Sequence, residues 1–540
     1  MQLTSQMSKS HAASSADASS VEFGVDLNRD PVFLSSKLKN SEIFSKAMLA
    51  LGGVVRFSSD FVQKDHSAYQ AWVQEQYLLE AGPELAIQQR ELEVARTKLE
   101  DLKQERDRLQ GFLNNVFDRM KGYSNARRKY WKWLYDNDRQ LWYVLDPIVS
   151  VQSKSTFFEA FSRDESTYVL VELPHSELVD SSQLQLGTTN IDFGIYLERE
   201  FERVRTYRPL TLTVGKNEVA IATDVSQAIE KKIDLPESWI QGLVQVSAAR
   251  TLSSTTLNLH PMFVAQLIAK LEAIREKTGP RSLKFVLTPG EPVKVIIEPW
   301  GIECVESSNA FQGSEATEIR IWGRRRLSLL KNILPLADSA KVVLLGDGMP
   351  SFWSIKTGSI ETTFGFSGWN ALDWSKKMQF SALLPRQDFD ENQLDQALQI
   401  LKANQEVATD SLVKVMNLKP SQAATILQTL AFHGKAMYLP DENVYVYREL
   451  VPGWQPDQKT GTEERKGIEL ASKDGYFGSI NRTFENNESV LSGKTEDNLQ
   501  VLIRRDLDSR ISYAQCSCGY FAYNQLRLGP CRHIVAIGLK

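Results

Sequence analysis

The 540-residue sequence is poor in cysteine, with four in the whole chain. Secreted disulfide scaffolds use more cysteines and spread them along the chain, so this class is excluded. The sequence also lacks an apolar run of about 20 residues, which excludes an ordinary transmembrane helix. Residues 1–20 contain no apolar segment of the signal-peptide type. We therefore expect a cytoplasmic protein with a disordered leader over residues 1–30.

The chain has little excess charge of either sign. Lys and Arg total 63 against 67 Asp and Glu, which gives a formal net charge of -4. This balance argues against electrostatic attraction of the whole chain to nucleic acid. The sequence is 42% hydrophobic, enough to form several cores. Its length predicts about three or four domains at roughly 100–200 residues each.

Recognisable catalytic motifs are missing as well. The six histidines are scattered, and they form no Ser-His-Asp, H-E-x-x-H or Cys-His pattern. The segment Gly493–Thr495 resembles the end of a phosphate loop, but the required earlier glycine is replaced by Glu488. We interpret this segment as a turn, and we predict that the protein is not an enzyme.

Residues 31–149 are predicted to form a mainly helical region, with short helices at its start. Between Pro83 and Met120 apolar residues recur at heptad spacing among charged ones, which indicates a coiled-coil hairpin. Residues 127–135 interleave basic and aromatic side chains. This pattern fits a helix that buries its aromatic rings, which we favour, and the alternative is a nucleic-acid patch.

Residues 150–385 mix strand and helix patterns, which predicts an α+β domain. The segments 167–173 and 341–346 have the composition of buried strands. Two further segments, 210–222 and 283–300, have the pattern of hairpins with glycine-containing turns. The order of the strands does not follow from these patterns.

Residues 386–452 show the order helix, helix, helix and β-hairpin, which is typical of a winged helix. Pro420 suits the first turn of the third helix, and Gly434 suits its C-terminal end. That helix has no Lys or Arg from Ser421 to His433. A helix that reads DNA needs cationic contacts to phosphates. We therefore predict a scaffold or protein-contact role for this unit, with DNA reading as the alternative.

Three cysteines and one histidine lie within eighteen residues near the carboxyl end, in the pattern C-x-C-x12-C-x-H. Thiolates and imidazole are ligands that Zn²⁺ prefers, and four protein ligands leave no position for a reactive water. The pattern therefore predicts a structural zinc site. We expect Gly519 to form a hairpin turn and Gly529-Pro530 to end a strand. The predicted ligands are Cys516, Cys518, Cys531 and His533.

This cysteine and histidine pattern resembles the SWIM zinc finger. The segments LLGDGMPSFW, FGFSGWNALDWS, GPRSLKFVLTPG and the stretch ending in VYVYREL are similar to the large bacterial SWIM-family proteins. The resemblance implies a small ββα finger over residues 511–540 within a C-terminal region, 453–540. It also implies a zinc-binding adaptor for protein–protein interaction, with a MoxR-type AAA+ ATPase and a von Willebrand A protein as partners. The alternative function is DNA binding through the finger.

Basic residues outnumber acidic ones around the predicted finger. From Gln500 to Lys540 six basic residues oppose two acidic ones. The basic side chains can contact nucleic acid or an acidic partner, or they can pair with nearby acids as a solvated face. Arg324–Arg326, followed by Lys331, can grip an acidic partner or a phosphate, or can equally be an exposed helix start. The candidate contacts at the finger are Arg504, Arg505, Arg510, Arg527 and Arg532.

Overall fold

The fold is described from a computed structural model of the chain. Its contacts divide the chain into two units, Asp60–Val144 and the remainder. The predicted coiled-coil hairpin and residues 127–135 lie in the first of these, outside the described residues. The structure describes residues 11–14, 19–23, 32–57, 147–180, 184–191, 193, 198, 201–205, 210–215, 237–274, 281–368, 374, 380–383, 389–450, 462–485, 488–505, 511–526 and 528–540.

The protein has a mixed α+β, multidomain architecture. Its described strands are β1 (His11–Ser14), β2 (Ser19–Phe23), β3 (Phe33–Lys37), β4 (Ile148–Val151), β5 (Ser155–Phe161), β6 (Thr167–Pro174), β7 (Leu184–Gln185), β8 (Gly187–Asn190), β9 (Leu210–Val214), β10 (Thr255–Leu259), β11 (Leu283–Leu287), β12 (Pro292–Ile297), β13 (Ile302–Ala310), β14 (Thr317–Ile321), β15 (Ser339–Leu344), β16 (Ser351–Thr357), β17 (Ile360–Phe366), β18 (Glu406–Ala408), β19 (Ala436–Leu439), β20 (Val444–Tyr447), β21 (Phe477–Glu485), β22 (Glu488–Thr495), β23 (Gln500–Arg505) and β24 (Ile511–Cys516).

The described helices are α1 (Ser41–Arg56), α2 (Glu237–Arg250), α3 (Pro261–Ala273), α4 (Glu391–Asn404), α5 (Thr409–Met416), α6 (Pro420–Phe432), α7 (Thr462–Ala471), α8 (Gly519–Asn524) and α9 (Arg532–Gly538). Short 3-10 helices span His175–Glu177, Arg324–Asn332, Leu334–Leu336 and Phe380–Leu383. Within this described part, no helix has both the length and the apolar character needed to cross a bilayer.

An eight-stranded antiparallel sheet lies at the centre of the largest core, in the order β10-β15-β16-β17-β6-β5-β4-β8. Every residue of β5 is buried, and so are most residues of β6 and β17. The helix α1 packs against these three strands. A strand that is buried on both faces is apolar along its length rather than at alternate positions. This is why 167–173 was recognisable as the strand β6.

Two smaller sheets accompany the central one. The first has the order β1-β2-β9-β3-β7, and the second the order β13-β12-β11-β14, in which β11 and β12 form the antiparallel hairpin predicted at 283–300. The disordered leader is wrong for β1 and β2, because β2 pairs in parallel with β9. The predicted short helices are also wrong at β3, which pairs with the same strand. Composition cannot show pairing with a strand so distant in sequence.

The helices α4, α5 and α6, with the sheet β18-β20-β19, form a compact unit with a core of its own. Pro420 begins α6, and Gly434 follows its end with φ +67°. The side chains of α6 are buried over most of its length, because α6 also packs against α2. A buried ion pair between Arg448 and Glu159 attaches this unit to the central sheet.

The C-terminal region combines α7, the antiparallel meander β21-β22-β23-β24 and the helices α8 and α9. Its separate core joins Leu491, Ile503 and Ile537 to the three C-terminal cysteines. Gly493–Thr495 lies in β22, so the predicted turn is wrong. Gly493 packs closely in this strand, because an added Cβ would lie 3.2 and 3.3 Å from side-chain atoms of β21 and α9, which would have to shift slightly.

The triplet Arg324–Arg326 begins a 3-10 helix, and two of its side chains are buried rather than available to a partner. Arg326 donates hydrogen bonds to the carbonyl of Ser166, at 2.6 Å, and to the hydroxyl of Ser367, at 2.7 Å. Burial lowers the pKa of Arg326 to about 10. The helix start is therefore confirmed, but the exposure that both alternatives assumed is wrong for Arg324 and Arg326, which hold neighbouring loops together.

Candidate metal centre

The four predicted ligands are carried by three successive elements of the C-terminal region. Cys516 ends β24, and its backbone is opposite Val501 on β23. Cys518 caps the N-terminus of α8, where its Sγ accepts a hydrogen bond from the Phe521 amide at 3.4 Å. Cys531 precedes the first residue of α9, and His533 lies in the first turn of that helix.

The structure brings the four side chains into one cluster. Their ligand atoms all lie within 4.8 Å of one another. His533 Nδ1 is 3.6 Å from the Sγ of Cys516 and 3.9 Å from the Sγ of Cys531. Tetrahedral zinc with ordinary bond lengths separates its ligand atoms by about 3.5–3.8 Å. The cluster therefore fits a structural Zn²⁺ held by Cys516, Cys518, Cys531 and His533.

The backbone around these ligands differs from the prediction in two places. Gly519 is the first residue of α8 rather than part of a hairpin turn, because Cys518 supplies the helix cap. The helix α8, which ends at Asn524, is also found in place of the strand that was predicted before Gly529. Gly529 itself has φ +104°, a left-handed conformation that side chains disfavour, and it redirects the chain from α8 towards α9. The finger thus has the order ββαα instead of ββα.

The three sulfurs lie close together, and as a result their pKa values differ. Hydrogen bonds from Cys516 and then Cys531 lower the pKa of Cys518. The hydrogen bond to Cys518 raises the pKa of Cys516 to about 12, and hydrogen bonds with Cys516 and Cys518 raise the pKa of Cys531. A divalent cation favours the deprotonated form of all three, so this donor set has the chemistry of a metal site.

Groups upstream of the finger complete the surroundings of the ligands. The ring of Tyr476 is stacked on the ring of His533, with centroids 6.5 Å apart and planes at 8°. Burial raises the pKa of Tyr476 to about 12. Glu463 on α7 accepts hydrogen bonds from Arg532, which lies between two ligands. Burial opposes ionisation of Glu463, but these hydrogen bonds outweigh it and lower the pKa.

Glu463 and Tyr476 were not predicted from the sequence. Both lie more than thirty residues before the first ligand, and neither belongs to a metal-ligand pattern. The segment TEERKGIEL does have the composition of a helix with acidic residues in its first turn. That signal predicts the helix α7 but not its contact with α9.

The predicted basic contacts have different surroundings. Arg505 donates to the carbonyl of Gly538 at the end of α9, and Arg532 pairs with Glu463 at 2.6 Å. Arg504 is exposed, with its guanidinium 5.5 Å from the centre of the Tyr513 ring. Arg510 and Arg527 lie outside the described residues. Arg505 therefore contacts the C-terminal end of the helix that carries His533, and Arg532, the first residue of that helix, connects it to Glu463.

The remaining cysteine, Cys304, lies in the core. Cys304 lies on β13 with its side chain buried. Lys270 on α3 donates to its sulfur at 3.4 Å. Cys304 is not part of the metal cluster found among the described residues.

A closed four-ligand centre of this kind defines a structural zinc module. The SWIM zinc finger family matches residues 501–537, and these contain all four ligands. The chain therefore carries a SWIM zinc finger, with structural Zn²⁺ as the cofactor. The match begins with β23, ten residues before the start of the finger predicted from the sequence. A search of the curated proteins finds no match to the chain.

Two solved structures illustrate the similarity of part of the chain to known structures. Proliferating Cellular Nuclear Antigen from Entamoeba histolytica is 13% identical, with a TM-score of 0.28, over 41% of this chain and 89% of that chain. The C-terminal region of FEN-1 bound to A. fulgidus PCNA gives 14% identity and a TM-score of 0.27, again over 41% of this chain and 89% of that chain. TM-scores this low support no conclusion about fold or function.

Proposed function

We propose that the protein is a zinc-binding adaptor that mediates protein–protein interaction and has no catalytic activity of its own. The observation that carries this proposal is the closed metal centre. Four protein ligands complete a tetrahedral shell, so no coordination position is left for a reactive water or a substrate. A metal held in this way stabilises a fold, and the folded surface around it is then available for recognition.

The unit built from α4, α5, α6 and the sheet β18-β20-β19 has the element order of a winged helix, and we propose that it acts as a scaffold. The third helix of a DNA-reading unit must present its side chains to the major groove. In α6 the polar side chains of Thr425 and Gln428 are buried, and α2 packs against the helix. This supports protein contact over DNA reading.

We further propose a MoxR-type AAA+ ATPase and a von Willebrand A protein as partners, in the cytoplasm. The support is the similarity of LLGDGMPSFW, FGFSGWNALDWS and GPRSLKFVLTPG to the large bacterial SWIM-family proteins. All three segments lie outside the finger, in the region that contains the eight-stranded sheet and the sheet β13-β12-β11-β14. Partner recognition would therefore use the region that contains these two sheets, and the finger would add a folded surface to it.

Nucleic-acid binding by the basic finger has less support. Arg505 and Arg532 already bind groups of the C-terminal region, which leaves fewer cations for phosphates. Binding through phosphates weakens steeply with salt, because counterions are released. We expect no binding of single- or double-stranded DNA or RNA at 50 mM salt in a fluorescence anisotropy titration. Salt-sensitive binding there would replace the adaptor proposal with the nucleic-acid one.

Reconstitution with purified components tests the adaptor proposal. The full chain is mixed with the MoxR-type ATPase and the von Willebrand A protein of the same organism, and complexes are measured by size-exclusion chromatography with light scattering. We expect co-elution with at least one of them. Cys304→Ser, outside the metal centre, is the control and should co-elute equally. Failure of both partners to bind at micromolar concentration contradicts the named partners.

A further inference from the structure

The helix α7 lies against α9, the helix that carries His533, although α7 is outside residues 501–537 of the finger match. Gly467 is the buried residue of α7 and makes this close approach possible. A Cβ at that position would lie 2.5 Å from the Cβ of Val535 and 2.8 Å from the carbonyl oxygen of Arg532. The two helices are therefore in backbone contact at the start of α9.

One carboxylate of α7 binds the residue between two metal ligands. Glu463 Oε2 accepts from the backbone amide of Arg532 at 3.1 Å and from its Nε at 3.0 Å. The other oxygen, Oε1, accepts from Nη2 at 2.6 Å. Because one of these bonds is to the main chain, the carboxylate fixes the backbone that joins Cys531 to His533 as well as a side chain.

The ring of His533 is fixed from another direction. Tyr476, in the segment between α7 and β21, is 2% exposed and is stacked on the imidazole. Arg505 binds the far end of α9 through the carbonyl of Gly538. The helix with the histidine ligand is thus held at its start, at its end and on the ring of the ligand itself.

We propose that α7 is an outer support of the metal centre and that Glu463 is a positioning residue for the Cys531 and His533 ligands. This goes beyond the adaptor function, since it concerns how the metal is retained. Groups that orient metal ligands typically change metal affinity by about 10–100-fold when they are removed. The functional zinc module of this chain then begins at α7 rather than at β23.

Competition with a chromophoric chelator tests the proposal on the full chain. We compare the zinc dissociation constant of Glu463→Gln with that of the wild type, at 20 °C and pH 7.5. We expect weakening of about 10-fold, because the amide keeps the size of the side chain but loses the charge that binds Arg532. The matched control is Glu469→Gln, which makes the same change at an exposed position of the same helix. It should bind zinc as the wild type does.

Cobalt substitution separates positioning from loss of a ligand or of the fold. The variant saturated with Co²⁺ should keep the intense visible bands of a tetrahedral Cys₃His site while its cobalt affinity falls in parallel with its zinc affinity. Saturated bands that differ from those of the wild type would mean an altered ligand set and would overturn the positioning role. Unchanged zinc and cobalt affinities in Glu463→Gln would overturn it as well. Neither result depends on whether a protein partner binds.

Discussion

At the scale of single residues, the properties of the metal centre depend on the protonation and the charge of its four ligands. Three thiols and an imidazole lie within 4.8 Å of one another. Hydrogen bonds from Cys516 and Cys531 lower the pKa of Cys518, whereas the pKa of each donor thiol is raised. A divalent ion bound between the four ligands removes this difference between the thiols, because each sulfur then binds the ion as a thiolate.

The variants Cys516→Ser and His533→Ala should unfold the C-terminal module while the rest of the chain stays folded. Zinc contributes on the order of 10 kcal/mol to the folding of small zinc-finger peptides. The central sheet has its own core and does not depend on this contribution. Limited proteolysis followed by mass spectrometry should show new cleavage within residues 500–540.

Cys304→Ser is the control for those two variants, since Cys304 is buried outside the cluster. It should keep the wild-type cleavage pattern and metal content. Unchanged protease resistance of residues 500–540 in both Cys516→Ser and His533→Ala would contradict the structural role of the metal.

Proton competition gives a further prediction at the residue scale. The ligands bind as thiolates and neutral imidazole, so each bound ion displaces protons. Lowering the pH protonates the free ligands and must weaken binding, whereas raising the pH within the neutral range must strengthen it. A chelator titration between pH 6 and pH 8 should show the zinc dissociation constant falling as pH rises. A constant that does not vary with pH would contradict coordination by thiolates.

At the scale of secondary-structure elements, the contact of α7 with α9 depends on the missing side chain of Gly467. Ala has a higher helix propensity by about 1 kcal/mol. Its Cβ, however, would lie 2.5 Å from Val535 and 2.8 Å from a backbone oxygen. Overpacking costs about 1–3 kcal/mol. We therefore expect Gly467→Ala to lower the thermal stability of the C-terminal module.

Gly478→Ala provides the comparison for Gly467→Ala, because no atom lies within 4 Å of a Cβ built at Gly478 in β21. Hydrogen exchange of residues 500–540 measures both variants. Faster exchange in Gly467→Ala alone is the expected result. Equal protection in Gly467→Ala and the wild type would mean that α7 and α9 are not in close contact.

The ligand set could be predicted from the sequence because its members are close in the chain and carry their chemistry in their residue types. The four ligands between Cys516 and His533 can be recognised without knowledge of the tertiary fold. The local backbone was harder, since Gly519 suits a hairpin turn as well as the first position of a helix capped by Cys518. Glu463 was not predictable, because its role depends on the packing of α7 on α9.

In the larger fold, too, features set by the local sequence could be predicted, whereas features set by tertiary contacts could not. The strand β6, which is buried over most of its length, was recognisable from its continuous apolar run. The apolar run at 341–346 also predicted the strand β15, but only alternate residues of β15 are buried. The strands β1 and β2 were not recognisable, because β2 pairs with β9, which lies far along the chain, and β1 pairs with β2. The arginines at 324 and 326 were predicted to be exposed, and burial of a cation becomes visible only when its carbonyl partners are in place.

At the scale of the whole molecule, the unit that contains α4 to α6 is joined to the central sheet by charges removed from water. The side chains of Arg448 and Glu159 are each 2% exposed, and Glu159 also accepts from the Tyr168 hydroxyl at 2.6 Å. Breaking a buried pair by removing one partner costs about 3–5 kcal/mol. Arg448→Met should therefore lower the thermal unfolding temperature measured by calorimetry.

A double variant isolates the pair. Glu159→Gln should lower the stability less in the Arg448→Met background than in the wild type. The reason is that the ion pair with Arg448 is already absent in that background. The exposed pair of Lys331 and Glu272, at 2.7 Å, is the comparison, and Lys331→Met should change stability by less than about 1 kcal/mol. Equal losses from Arg448→Met and Lys331→Met would contradict the importance of the buried attachment.

Elemental analysis of the purified full chain tests the central claim most directly. The wild type should contain one equivalent of zinc per chain after dialysis against a weak chelator, and Cys531→Ser should contain none. Wild-type protein without zinc, or a Cys531→Ser variant with the same zinc content as the wild type, would contradict the account.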